Sequence, residues 1–154
     1  MEQAIIRPFL PFDIPACTEI ISLSLTENDG QQATQDMIEG FNCPNPNYEW
    51  CERIVAVKAG QIIGICGAYH LDTHPKDHAG ICWYAVLPNE RKQGIGKTLL
   101  AESERMALEH GFHYIFAWTI DSAIGYYEQN GYASISPESV IPKESYLLVR
   151  KPLK

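Results

Sequence analysis

A chain of 154 residues, 45% apolar and 20% charged, is long enough to bury a core of its own and has no run of about 18 apolar residues to span a bilayer, so no membrane partner is expected. A net charge of −7 argues against nonspecific nucleic-acid binding. Five scattered cysteines (17, 43, 51, 66 and 82), none spaced Cys-x-x-Cys, and a start (Met1-Glu2-Gln3) without signal-peptide character favour free thiols in a reducing cytoplasm over disulfides or zinc.

Ala4 to Phe9 reads as a first strand, ended by proline. Asp13 is placed to cap a helix with Pro15 in its first turn, and Ile14, Cys17, Ile20, Ile21 and Leu25 keep helical spacing. Thr26 to Gly30 is expected to break that helix, and a second runs from about Thr34 to Glu39, stopped by Gly40. Pro44 to Asn47 is a loop. Arg53 to Ala59 alternates as a strand, Ala59-Gly60 turns it, and Gln61 to Leu71 returns as the hairpin partner. After a loop containing Pro75, His78 to Leu87 is apolar through most of its length and reads as a central strand.

A helix then runs from about Ile95 to His110, with Leu99, Leu100, Met106 and Ala107 as its buried stripe and Gly111 as its stop. Phe112 to Ile120 is a strand, and Asp121 caps a helix to Asn130 that Gly131 ends. Tyr132 to Ser136 and Tyr146 to Arg150 complete the sheet. Without repeats, low-complexity tracts or linkers, residues 1–154 read as one domain.

The stretch that sets the functional reading is Arg91-Lys92-Gln93-Gly94-Ile95-Gly96-Lys97, which opens the long helix and holds three of the chain's twelve basic residues. Glycines there let backbone approach a ligand with no Cβ in the way. The free N–H groups at the positive end of a helix dipole suit a phosphate. Gly-x-Gly alone is equally the mark of a tight turn. A P-loop would need a glycine where Arg91 stands, although Gly96-Lys97-Thr98 supplies its end. The pattern Arg/Gln-x-x-Gly-x-Gly/Ala is filled by Arg91, Gly94 and Gly96, with Val86-x-Pro88-x-x-Arg91 leading into it. Further on, Ala123-Ile124-Gly125-Tyr126-Tyr127-Glu128-Gln129-Asn130-Gly131-Tyr132 follows Ala-Ile-x-x-Tyr-Glu-x-x-Gly-Phe. On these two motifs, and on the order of its elements, the chain resembles the GNAT N-acetyltransferases over essentially its whole length.

That resemblance implies an α/β (α+β) domain with a mixed, mostly antiparallel sheet of about seven strands, splayed at the fourth and fifth, and four flanking helices. It implies transfer of acetyl from acetyl-CoA to a primary amine by direct attack in a ternary complex, and it allows a homodimer. By the same resemblance the coenzyme lies against Tyr84, Val86, Arg91, Lys92, Gln93, Gly94, Ile95, Gly96, Lys97, Thr98 and Tyr127. A backbone N–H near Val86 would stabilise the oxyanion, and Tyr127 would protonate the leaving thiolate. Tyr126 is assigned to the core.

Two departures stand out. Ile120, beside Asp121, occupies the place of an asparagine that often contacts the coenzyme, and Ala79 to Tyr84 offers no carboxylate base. His78, in phase with Gly80, Cys82 and Tyr84, is the base candidate, with His70, Asp72 or a water relay as rivals. His70, His74 and His78 recur every fourth residue, but Pro75 denies them a helix, and no metal is expected. Residues 1–52 hold nine acids against Arg7 alone. A solvated helical face explains such a bias, and so does an acceptor site that draws in a small cationic amine. Acetylation of a peptide, and inert binding of acyl-CoA, are the alternatives.

Overall fold

Two eleven-residue strands, β2 (Tyr48–Lys58) and β3 (Gln61–Leu71), build the longest hairpin of the fold. Ala59 and Gly60 turn it with φ of 52° and 75°, the two left-handed positions a tight primed turn demands. In chain order the computed structural model, which describes residues 3–25, 27–42, 48–136 and 147–154, starts with β1 (Ile5–Pro8), α1 (Ile14–Ser24) and α2 (Glu27–Asn42). The hairpin follows, then β4 (His78–Ile81), β5 (Ala85–Val86), α3 (Ile95–Glu109), β6 (Tyr114–Thr119), α4 (Asp121–Gln129), β7 (Ala133–Ile135) and β8 (Leu147–Pro152). The sheet order is β1-β2-β3-β4-β6-β8-β7, with β5 paired to β3. All pairs are antiparallel except β4 with β6.

Alternation along the strands sends side chains to two dry layers. On one face α1 and α2 bury Cys17, Ile20, Ile21, Ala33 and Met37 against Val55, Ile65 and Ala85. On the other, the expected stripe of α3 packs on Ile54, Ala56, Ile63, Ala68 and Ile115, and Tyr127 joins this layer from α4. No helix among the described residues is long and apolar enough to cross a membrane.

Several boundaries differ from the sequence reading, each for a physical reason. Gly30 does not break a helix but lies inside α2, which begins at Glu27. A Cβ on Gly30 would run into the Ser22 hydroxyl, and the Thr18 and Thr34 hydroxyls touch beside it, so the glycine lets α1 and α2 pack closely. β2 begins at Tyr48, before the expected Arg53, because Trp50 stacks on His110 and Phe112 with centroids 4.4 and 5.4 Å away. Ile120, in extended backbone, is the N-cap of α4, and Asp121 is its first helical residue. Pro44 to Asn47 and Tyr146 lie outside the described residues.

The expected strand from His78 to Leu87 is two strands. Between the pairs Ala68↔Ile81 and Ile65↔Ala85, three steps on β3 face four on the other side, so one extra residue is accommodated at Cys82 to Tyr84. Such a bulge bends its strand and raises the local twist. β4 pairs with β6 through Gly80↔Phe116, whereas β5 pairs with β3 alone, and β5 and β6 part like the arms of a V. The eighth strand is thus the expected fourth, divided.

Asp13 stands ahead of α1 as foreseen, but its side chain makes no helix-capping bond. It is only 1% exposed and accepts both arms of the Arg7 guanidinium (2.7 and 2.9 Å) and the Leu10 N–H (2.8 Å), tying β1 to α1. The Arg7 hydrogen bonds hold its carboxyl below the ordinary range. Because Arg7 is partly exposed, solvent screens some of the pair. Asp13→Ala should therefore destabilise the fold by about 2 kcal/mol at neutral pH. A depressed carboxylate stabilises above its unfolded pKa and loses that contribution as pH falls through the folded one. The gap between wild type and variant in urea melts should persist down to about pH 4 and close below it.

Candidate active site

The V between β5 and β6 is the mouth of a cleft of about 980 Å³. Ile81 to Val86 form one wall, and Ala117 to Ile120 with Ala123, Tyr126 and Tyr127 form the other. Arg91, Lys92, Gly94, Gly96 and Lys97 close one end. Asp36 of α2, with Tyr48, Arg53 and Tyr69 of the hairpin, lies towards the opposite end, and Asp29 of α2 also lines the cleft.

At the basic end the sequence dictates an open helix terminus. Gly94 adopts φ 83°, a left-handed value that most side chains resist, and having no side chain it leaves α3 uncapped. The first amide to find an acceptor within α3 is Thr98, bonded to Gly94 O at 3.0 Å. The N–H groups of Ile95, Gly96 and Lys97 precede it and have no intrahelical partner. Tyr84 donates to Gly96 O (2.6 Å), and its oxygen lies 2.6 Å from that of Tyr126. A Cβ on Gly96 would come within 2.8 Å of the Tyr84 hydroxyl, so glycine is required for this contact.

In the middle of the cleft, ladder parity decides where backbone groups point. Leu87 N–H donates to Ile63 O (2.9 Å), making that a hydrogen-bonded pair. The neighbouring pair Gly64↔Val86 is then of the non-bonded type, so the Val86 N–H and C=O face away from β3, into the gap that β6 has left. The Val86 carbonyl accepts Arg91 Nε (3.1 Å) and Ser24 Oγ (3.2 Å).

Tyr127 is 8% exposed and lines the cleft, its ring set edge-on to those of Tyr126 and Tyr132 at 5.8 and 5.3 Å. Burial raises its phenol above the ordinary range, so it stays protonated at neutral pH. Burial, helped by Tyr126, also raises Tyr84.

Of the residues expected at the site, the structure brings Tyr84, Val86, Arg91, Lys92, Gly94, Gly96, Lys97 and Tyr127 together around the cleft. Gln93, Ile95, Thr98 and His78 do not line it. Ile95 is buried in the core and Thr98 returns its hydroxyl to Gly94 O (2.9 Å). His78 is 5% exposed, neither a surface residue nor a cleft one. Its Nδ1 meets Asp77 Oδ1 at 2.7 Å, its Nε2 accepts from Arg150 at 3.2 Å, and its ring stacks on Tyr114. His70 and Asp72 are likewise away from the cleft.

His70, His74 and His78 are all buried, and desolvation with the two neighbouring imidazoles pulls His74 down to about 4. No group of three or more metal-ligating side chains is gathered among the described residues. Tyr126, expected in the core, is 39% exposed at the cleft edge.

Trp83, Asp36, Tyr48, Arg53 and Tyr69 were not foreseen. The Trp83 indole N–H donates to Asp36 (3.0 Å), which fastens α2 to the bulge. A signal for Arg53 existed in the sequence: it is in phase with Val55, a charged residue on the buried face of a strand.

Known proteins share this architecture. An acetyltransferase of the GNAT family from Desulfovibrio desulfuricans superposes with a TM-score of 0.81 at 17% identity, over 99% of this chain and all of that one. PaiA N-acetyltransferase from Thermoplasma acidophilum, solved with coenzyme A, gives 0.73 at 15% identity, over 97% of this chain and 99% of its own. At these identities the likeness is one of fold. An uncharacterized N-acetyltransferase of Chlorobaculum tepidum is 33% identical over 84 residues, 54% of this chain and 51% of that protein, so the match spans about half of each. The acetyltransferase (GNAT) family profile itself matches residues 14–132, from the first residue of α1 to the turn after α4, and the chain belongs to that family.

Proposed function

We propose that this chain is an acetyl-CoA-dependent N-acetyltransferase acting on a small primary amine, cationic in solution, in the cytoplasm. The observation that carries the reading is one continuous cleft with an open helix terminus and basic side chains at one end and the Asp36 carboxylate towards the other. Its volume of about 980 Å³ is at the upper end for a single drug-sized ligand, which suits two reactants held together. The diphosphate of the coenzyme would lie on the amides of Gly94 to Lys97, with Arg91, Lys92 and Lys97 adding charge. The amine nitrogen attacks the thioester carbonyl, and the Val86 N–H receives the developing oxyanion. As the C–N bond forms the C–S bond breaks, Tyr127 passes its proton to the departing sulfur, and the proton that the new amide nitrogen sheds returns to the Tyr127 phenolate through water. Its raised pKa is no obstacle, because the dry setting that raises the phenol raises a thiolate as well.

His78 has no part in this scheme, since its ring is tied to Asp77 and Arg150 outside the cleft. The amine sheds its proton to water at the open mouth. Asp29 and Asp36 concentrate the ammonium form by attraction.

A thiol-release screen of small amines and peptides tests the reading. Release with small amines supports it, and release with peptides alone transfers the activity to a protein acceptor. Tight acetyl-CoA binding without turnover on any amine makes the chain an inert binding module. Tyr127→Phe should lower kcat about 100-fold with the acetyl-CoA Kd within about twofold, measured by stopped-flow and calorimetry. An unchanged kcat removes Tyr127 from the acid role. With no resident base, kcat/KM should climb with unit slope towards the acceptor's own pKa near 10, without the plateau a histidine would impose near 6.5. His78→Gln should leave that slope intact while lowering the melting temperature. A plateau near 6.5 in the wild type that gives way to the slope in the variant restores the histidine as base.

A further inference from the structure

Arg53 is a cation at the acceptor end of the cleft whose side chain forms no hydrogen bond or ion pair with the described residues. The chain has five arginines, and the other four all bond. Arg7 forks onto Asp13, Arg91 reaches Val86 O, Arg105 bridges Glu102 and Glu109, and Arg150 meets His78. The Arg53 Nε is buried without an acceptor, and no ion pair involves this side chain among the described residues.

Position explains why it faces the cleft. On β2 it is in phase with Cys51 and Val55, on the α1–α2 face, and it pairs with Gly67 of β3. Gly67 has no room for a side chain, because the β2 backbone and the Cys82 thiol close in on it. Arg53 and Cys82 thus approach each other from strands on either side of β3, at the cleft surface.

The groups that act on the guanidinium are Cys82, Cys51, Tyr48 and Asp36. Burial holds the Cys82 thiol well above its ordinary value and the Tyr48 phenol up at about 12, so both are neutral. Cys51 is drawn down to about 7 by the hydrogen bond with Cys82, yet a thiolate offers one soft sulfur to a planar fork of donors. Asp36 already accepts from Trp83 and from Gln32 (3.2 Å). A partly desolvated guanidinium left in this state costs stability, and what satisfies it best is a second carboxylate, met in bidentate fashion.

We infer that the acceptor is an amino-acid-like zwitterion, with Arg53 holding its carboxylate while its amine reaches the reacting centre beside Val86. This rests on the N-acetyltransferase reading and narrows its substrate class. The acceptor end then carries both signs, Asp36 for the ammonium and Arg53 for the carboxylate, as a molecule with both charges requires.

The test compares amino acids with their decarboxylated counterparts (phenylalanine with phenethylamine, lysine with cadaverine, alanine with ethylamine) in thiol release by the full chain. At least one pair should show a preference of about 100-fold in kcat/KM for the carboxylated member. Arg53→Met should bring that ratio close to one, mainly through KM, and Arg53→Lys should restore part of it. Removal of an unpaired cation should raise the melting temperature of Arg53→Met by about 3 °C, with the acetyl-CoA Kd unchanged. Preference for the decarboxylated members, an equal loss on both members in Arg53→Met, or a fall in its melting temperature each overturns the assignment. Turnover of bare amines alone defeats the role of Arg53 and leaves the N-acetyltransferase reading standing. Thiol release from neither class, with acetyl-CoA still bound, defeats that reading instead.

Discussion

A strand can satisfy neighbours on both sides only while its register with each is kept, and the single extra residue between Ile81 and Ala85 ends that for β5. Up to Gly80 the β4 strand serves both β3 and β6. Beyond the bulge β5 keeps β3 and gives up β6. The Val86 amide and carbonyl are thereby turned towards open space, and the interior of the sheet is opened to small molecules without a hole in its core. The apolar layers on either side stay continuous across the change, so the bend is held by packing on both faces.

Around that opening the charges are sorted by element. The start of α3 presents unpaired amides beside Arg91, Lys92 and Lys97, while Asp36, one of the acids that make residues 1–52 so negative, lies with Trp83 and Arg53 towards the other end. The cleft is polarised along its length, although the chain as a whole is simply acidic. On the function proposed above, such polarity would steer a donor rich in phosphate and an ammonium acceptor to different ends before any specific contact forms. Burial keeps Tyr84 and Tyr127 neutral at physiological pH, so neither adds a fixed charge to the middle of the cleft.

What was legible in the sequence is what depends on short-range rules. The stripe of α3, the stops at Gly111 and Gly131 (φ 90° and 93°) and the hairpin turn all follow from period and from glycine's left-handed backbone. Gly94 and Gly96 were legible for the same reason, being local features of a helix start. Gly30 misled because a glycine that breaks a helix and one that admits a neighbouring helix look identical until Ser22 is known to lie opposite. His78 misled because phase along a strand gives a face but not a depth: its strand carries it to the Asp77–Arg150 pair and not to the gap. Arg53 escaped although its phase with Val55 marked it, because the bonds it lacks among the described residues are seen only once the surroundings are assembled.

The contacts of Ser24 with Val86 and of Asp36 with Trp83 carry a mechanical implication. They anchor α1 and α2 to the same wall that carries the Val86 amide, so Asp36 and that amide are held as one piece. The opposing wall is built on β6 and α4, and α4 rests mainly on the strands β7 and β8 at the far margin of the sheet. The spacing between α2 and the Val86 amide is therefore set by contacts within one wall of the cleft alone.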